Sequence, residues 1–134
     1  MSESFKTILG EINFLSDNLI YIKIKDKLNI TVKDGVIFRD QLLTFSNKKF
    51  GILVDARNIQ STATINSMRF FTIDPAFNKS CVFQSIVTDN LSIRLLANFY
   101  VKYLRNKSKA MIFNNYNDAL LWLEDQVETL KELS

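Results

Sequence analysis

Ala110–Met111–Ile112–Phe113–Asn114–Asn115–Tyr116–Asn117–Asp118–Ala119–Leu120–Leu121–Trp122–Leu123 is the stretch that decides the fold. Its first four residues are apolar and suit a short buried strand. Asn114 and Asn115 then supply turn chemistry. Beyond them Leu120, Leu123, Val127 and Leu130 recur at helical spacing, and the acids Glu124, Asp125, Glu128 and Glu132 fall on the outer side. Asn115 or Asn117 can cap that helix by accepting from its free N–H groups. A buried strand leading into an amphipathic helix is one βα step, and the same step recurs upstream.

Phe50–Asp55 and Cys81–Val87 are apolar almost throughout, as central strands covered on both faces are. A helix over roughly 91–104 joins the second of them to the last strand. Leu91, Leu95, Phe99 and Tyr103 recur every four residues there and form its expected buried face, flanked by Leu96 and Tyr100. Between residues 55 and 81 a polar loop, 56–63, precedes a short helix over about 64–73, and Asp74–Pro75 ends that helix or opens another turn. Further upstream Thr31 and Asp34 have the spacing of a capping box. They open a helix to about Phe45, with Val32, Val36, Phe38, Leu42, Leu43 and Phe45 on its buried face. The chain begins with a hairpin, residues 7–15 and 19–25, turned by Ser16–Asp17–Asn18. Ile20, Ile22 and Ile24 alternate with Tyr21, Lys23 and Lys25, the period of a half-buried strand. The order β-β-α-β-α-β-α-β-α implies a single α/β domain over residues 1–134. Its sheet is expected to be mostly parallel and four- to five-stranded, with an antiparallel N-terminal hairpin and about four helices.

Composition narrows the chemistry. The chain has no His, so nucleophilic catalysis lacks its usual base. One Cys and no His cannot supply the nitrogen and sulfur ligands of structural zinc. Gly10, Gly35 and Gly51 stand alone, which excludes a glycine-rich phosphate loop. No catalytic residue, metal or cofactor is therefore expected. A net charge of +3 is too small to imply nucleic acid. No apolar run approaches the roughly 20 residues that span a bilayer, and the N-terminus lacks the charged and apolar regions of a signal peptide. The lone Cys81, beside an apolar strand, reads as a buried reduced thiol and suits the cytoplasm. Eleven Phe imply an aromatic core or an apolar pocket lined by rings.

Several local sequences, in order, carry a resemblance. They are Ile52–Leu53–Val54–Asp55–Ala56–Arg57, Ser67–Met68–Arg69–Phe70–Phe71, Leu91–Ser92–Ile93–Arg94–Leu95–Leu96–Ala97–Asn98–Phe99, and Phe113 with Asp118–Ala119–Leu120 and Trp122–Leu123. Over roughly residues 10–125 the chain resembles STAS-like domains, the fold of the bacterial anti-sigma-factor antagonists. Within them it is similar to a poorly characterised bacterial branch that also resembles CRAL-TRIO lipid-transfer domains. In signalling STAS domains a Ser or Thr after the central strand is phosphorylated, usually behind an Asp. The matching region here, Asn58 to Thr64, has no Asp-Ser pair. The resemblance leaves Ser61 and Thr62 as phosphoacceptor candidates, with Thr64 next. Helix capping is the other use of such hydroxyls.

Asp55 ends a central strand, where ligands of open α/β sheets collect. With Arg57 and Arg69 it forms a candidate polar cluster for a partner or ligand, or an ion pair that orients the loop. Asn98, set among apolar helix residues, is a further binding candidate or a satisfied buried amide. Lys102, Arg105, Lys107 and Lys109 form a basic run, either an anion contact or a helix C-terminus favoured by the macrodipole. The leading expectation is a non-catalytic regulatory or protein-interaction module that binds an unknown protein partner through residues 56–68. The alternative is a carrier for a lipid or small apolar molecule, suggested by Phe70, Phe71, Phe99, Tyr103 and the CRAL-TRIO-like side of the resemblance. A homodimer is compatible with either.

Overall fold

The computed structural model describes residues 3–104 and 108–133. Two short antiparallel pairings start the sheet. Strand β1 (Ser4–Lys6) pairs with β2 (Gly10–Ser16), and β2 pairs with β3 (Leu19–Ile24). The turn between β1 and β2 is closed by Thr7, whose backbone N–H and hydroxyl both donate to the Gly10 carbonyl. Gly10 lies so close to β3 that a Cβ there would stand 2.0 Å from the Lys23 carbonyl oxygen. The strand expected over residues 7–15 thus starts at Gly10 rather than at Thr7, and β1 is an addition that its three residues are too short to signal.

From β3 onward the pairing is parallel. β5 (Phe50–Asp55), β7 (Cys81–Val87) and β8 (Lys109–Phe113) follow in order, giving the six-stranded sheet β1-β2-β3-β5-β7-β8. A separate parallel pair joins β4 (Asn29–Ile30) to β6 (Thr62–Ala63). Between the parallel strands lie α1 (Val32–Phe45), α2 (Ile65–Ile73), α3 (Pro75–Ser80) and α4 (Leu91–Asn98), the last running on into a π-helical turn, Phe99–Tyr103. Helix α5 (Tyr116–Leu133) closes the chain. The architecture is the expected α/β domain, with a larger sheet and five helices in place of about four. The extra helix arises because Asp74 ends α2 and also caps α3, its carboxylate accepting from Phe77 N–H at 2.8 Å.

Each parallel step moves the sheet in one direction. Right-handed crossovers then place every connecting helix on the same face. Ile12, Ile20, Ile22, Ile24 and Ile52 pack there with Phe38 and Leu42 of α1, Phe77 of α3 and Ile93 of α4. Met68 of α2 and Ala97 of α4 complete that layer around Ile86. The opposite face, with Leu19, Leu53 and Val87, is covered by Ala119, Leu123 and Val127 of α5. Side chains alternate along each strand, so even-numbered residues of β3 and β5 face α1–α4 and odd-numbered ones face α5. Cys81 is a buried free thiol whose burial pushes its pKa up.

The caps follow the sequence closely. Thr31 accepts from Asp34 N–H while the Asp34 carboxylate accepts from Thr31 N–H, completing the capping box of α1. Asn115, not Asn117, caps α5, accepting from Asp118 N–H at 2.9 Å.

Candidate functional site

Parallel register sets Lys23 beside Asp55 and Tyr21 beside Leu53, all on the α5 face. The Asp55 carboxylate, 2% exposed, is held from several sides. Arg57 donates Nε to Oδ1 and Nη2 to Oδ2, both at 2.9 Å, and its backbone N–H reaches Oδ1 at 3.2 Å. The Tyr21 hydroxyl donates to Oδ2 at 2.5 Å. Lys23 Nζ lies 3.9 Å from Oδ1 and donates to the Arg57 carbonyl. The Arg57 guanidinium also lies over the Tyr116 ring, 5.9 Å from its centroid. Burial alone would raise the Asp55 carboxyl, but the hydrogen bonds from Arg57 and Tyr21 and the nearby Lys23 charge bring it down to about 2. Burial and the bond to Asp55 push the Tyr21 phenol up, and the bond to Asp55 raises the Arg57 guanidinium. Both carboxylate oxygens are thus committed to donors of the protein itself. The group is a clasp that turns the chain out of β5.

Arg69 does not join this clasp. It is exposed on α2, which packs on the other face of the sheet through Met68. The three-residue cluster is therefore corrected to Asp55 and Arg57 with Tyr21 and Lys23. Ser61 is also placed differently from an accessible phosphoacceptor. It is buried, its hydroxyl donating to the Lys25 carbonyl at 2.7 Å and accepting from Leu28 N–H at 3.0 Å. It thereby staples β6 to the loop after β3. Thr62 is exposed and donates to the Asn29 side chain at 2.9 Å. Thr64 caps α2, accepting from Ser67 N–H at 3.1 Å. Asn98 is half-buried at the junction of α4 with the π turn, and its side chain makes no capping bond there. Of the basic run, Lys102 and Lys109 are exposed, while Arg105 and Lys107 lie outside the described residues. Lys109 lies over the Trp122 ring and donates to Gln126 at 3.2 Å.

Between the sheet and helices α1–α4 lies a cavity of about 190 Å³. Its floor is Ile22, Ile52 and Ile86, and its walls include Met68, Phe71 and Ala97. It exists because small residues (Ala56, Ala63, Ser67 and Ala97) occupy positions where large ones would close it. Of the four aromatic residues expected to line such a space, Phe71 does so, whereas Phe70, Phe99 and Tyr103 do not. The volume is below the few hundred cubic ångströms of a typical small-molecule site. Gln84 at one end, which the sequence did not mark, donates to Ser108 at 2.6 Å and accepts from the Tyr100 hydroxyl at 2.9 Å.

Helix α4 corrects a further expectation. Its buried residues are Ile93 and Ala97, continued by Tyr100 in the π turn. The stripe expected to be buried faces outward instead. Leu91 is 70% exposed, Leu95 62% and Tyr103 74%. Phe99, half-buried, stacks on Tyr103 with ring centroids 5.7 Å apart. The cause lies in two competing apolar stripes on one short helix. The slimmer one, with Ala97, is the one that packs with Met68, Ile86 and Tyr100.

Against known proteins, residues 13–127 match the family described as a domain of unknown function, DUF7793. The chain belongs to this family. The DUF7793 domain is also similar in structure to an uncharacterised DUF3478-family protein with a SpoIIAA-like fold from Shewanella loihica PV-4. The TM-score is 0.55 and the identity 11%, with 92% of each chain covered. At that identity the likeness concerns the fold alone, and it makes the DUF7793 domain STAS-like, in agreement with the resemblance carried by its sequence. No curated protein matches the domain. Among its described residues no helix is long and apolar enough to cross a membrane.

Proposed function

We propose that the protein is a non-catalytic interaction module of STAS-like type that receives a protein partner on the outer face of α4. The observation that carries this is the exposure of Leu91, Leu95 and Tyr103 on a helix whose other face is packed. Contiguous exposed apolar groups mark interaction surfaces when scattered single ones do not. The segment 56–68, expected to bear the surface, buries Ile59, Ser61, Ser67 and Met68. It offers Ile65, 53% exposed, and is tied to the N-cap of α4 by Asn90 donating to the Ile59 carbonyl. The surface therefore centres on α4.

Charge narrows the partner. On α4 and its π turn, Leu91–Tyr103, the charged residues are Arg94 and Lys102, both basic. A second copy docking by the same face would set like charges together, so a homodimer through this face is disfavoured. A partner with an apolar patch rimmed by acids fits. The absence of His and the saturation of Asp55 support a role without catalysis. The unpaired Cys81 suits a cytoplasmic setting.

A photo-crosslinking residue in place of Leu95 tests the surface, with one in place of Leu121, an equally exposed leucine of α5, as control. The expected result is one protein adduct from position 95 that Leu91→Asp abolishes. Equal adducts from both positions, or association of the protein with anionic phosphatidylserine vesicles through Leu95 instead, would overturn the proposal.

The cavity favours a second, compatible role, the binding of a small apolar molecule. Its volume suits a compact ligand rather than a two-chain lipid.

A further inference from the structure

We infer that the cavity beneath α2 and α4 is a site for a neutral, compact, apolar molecule carrying one small hydrogen-bonding group read by Gln84. This rests on the apolar-ligand role of the cavity and is independent of the docking surface.

Size comes first. A dry cavity of roughly 150 Å³ lined by aliphatic and aromatic side chains accepts benzene. The 190 Å³ here therefore suits a ligand of about ten non-hydrogen atoms.

Charge is the sharper constraint. Among the described residues no Lys, Arg, Asp or Glu lines the cavity. The clasp at Asp55 and Arg57 lies on the opposite face of the sheet, so neither charge reaches through. A carboxylate or ammonium placed inside would be desolvated without a counter-ion, which costs far more than burial of a short chain returns. The site thus discriminates against fatty acids and amines and in favour of neutral alcohols, phenols or heteroaromatics.

Polarity locates the ligand's one polar group. The Ser61 hydroxyl is committed to Lys25 and Leu28, and the Ser67 hydroxyl donates to the Thr64 carbonyl at 2.7 Å. Gln84 differs. A primary amide has two N–H groups and two carbonyl lone pairs. Its bonds to Ser108 and Tyr100 use one of each. The second N–H and the second lone pair remain for a ligand, in a side chain that is 97% buried and borders the cavity. The π turn helps build this end, since Tyr100, which orients the Gln84 carbonyl, is its buried residue. Such turns are frequent at functional sites.

The test uses the whole chain labelled at isoleucine methyl groups, titrated separately with 1-octanol and with octanoate. Octanol is expected to shift the methyl signals of Ile22, Ile52 and Ile86 and to leave Ile73, exposed on α2, unmoved. Octanoate is expected to bind at least about tenfold more weakly. Gln84→Leu should weaken octanol by about fivefold or more while leaving 1-chlorooctane unaffected. If neither octanol nor chlorooctane shifts the cavity methyls, the apolar-ligand role itself fails. If octanoate matches octanol, the role stands and the charge rule is overturned. If Gln84→Leu fails to fold, the comparison of octanol with chlorooctane on the wild-type chain decides the polar contact, equal affinities overturning it.

Discussion

Asp55 shows how much a strand-end carboxylate can be absorbed by its own neighbours. Its folded value of about 2 lies below the ordinary carboxylate range, so its contribution to stability is present above about pH 4 and is lost as pH falls toward 2. Asp55→Asn is expected to cost about 2 kcal/mol at pH 7, with the gap to wild type closing between about pH 4 and pH 2. Urea denaturation at a series of pH values checks both size and sign. Ser61 carries the second prediction at this scale. Its hydroxyl serves two backbone groups, so Ser61→Asp buries an unmatched charge and should cost more than about 2 kcal/mol. Thr62→Asp, at its exposed neighbour, should stay within about 0.5 kcal/mol. Thermal denaturation of the two variants separates a staple from a modifiable surface. The sequence already held the clue that parts Arg69 from Asp55. Asp55 shares its parity with Leu53, while Met68 turns α2 toward the even-numbered residues. What it lacked was register, since nothing in the letters puts Tyr21 beside Leu53.

At the scale of elements, legibility depended on whether one reading had a rival. β5 and β7 run over the residues expected, because an unbroken apolar run bounded by polar loops fits little else. The start of α1 was as clear, since Thr31 and Asp34 satisfy each other's backbone groups locally. Helix α4 had two apolar stripes and so two consistent orientations. The larger residues suggested the wrong one, because Ala97 packs in the cluster of Met68 and Ile86 while Leu95 faces outward. The distinction can be measured. Leu95→Asp is expected to change stability by no more than about 0.5 kcal/mol, whereas Ile93→Asp should cost more than about 3 kcal/mol. Chemical denaturation that ranks the two the other way would restore the original orientation of the helix.

For the molecule as a whole, the α/β order was readable and the empty space was not. Alternating elements imply parallel strands and one-sided crossovers, but a cavity is a residue of packing that periodicity does not encode. Ala56, Ala63, Ser67 and Ala97 each look ordinary in sequence and matter only because the fold gathers them. Ala97→Leu adds apolar volume where the side chain borders the cavity. It should raise the stability of the unliganded protein by about 1 kcal/mol, read as a higher midpoint in urea. A core without the void would instead be overpacked and lose stability.

One-sided crossovers also impose an order in time. On the α1–α4 side, the strands up to β7 and helices α1–α3 have partners before residue 100 has been made, but the other surface of the sheet has none. Leu19, Leu53 and Val87 remain wetted until Ala119, Leu123 and Val127 have left the ribosome. During synthesis the nascent chain is therefore a half-finished sandwich, able to stick to another of its kind.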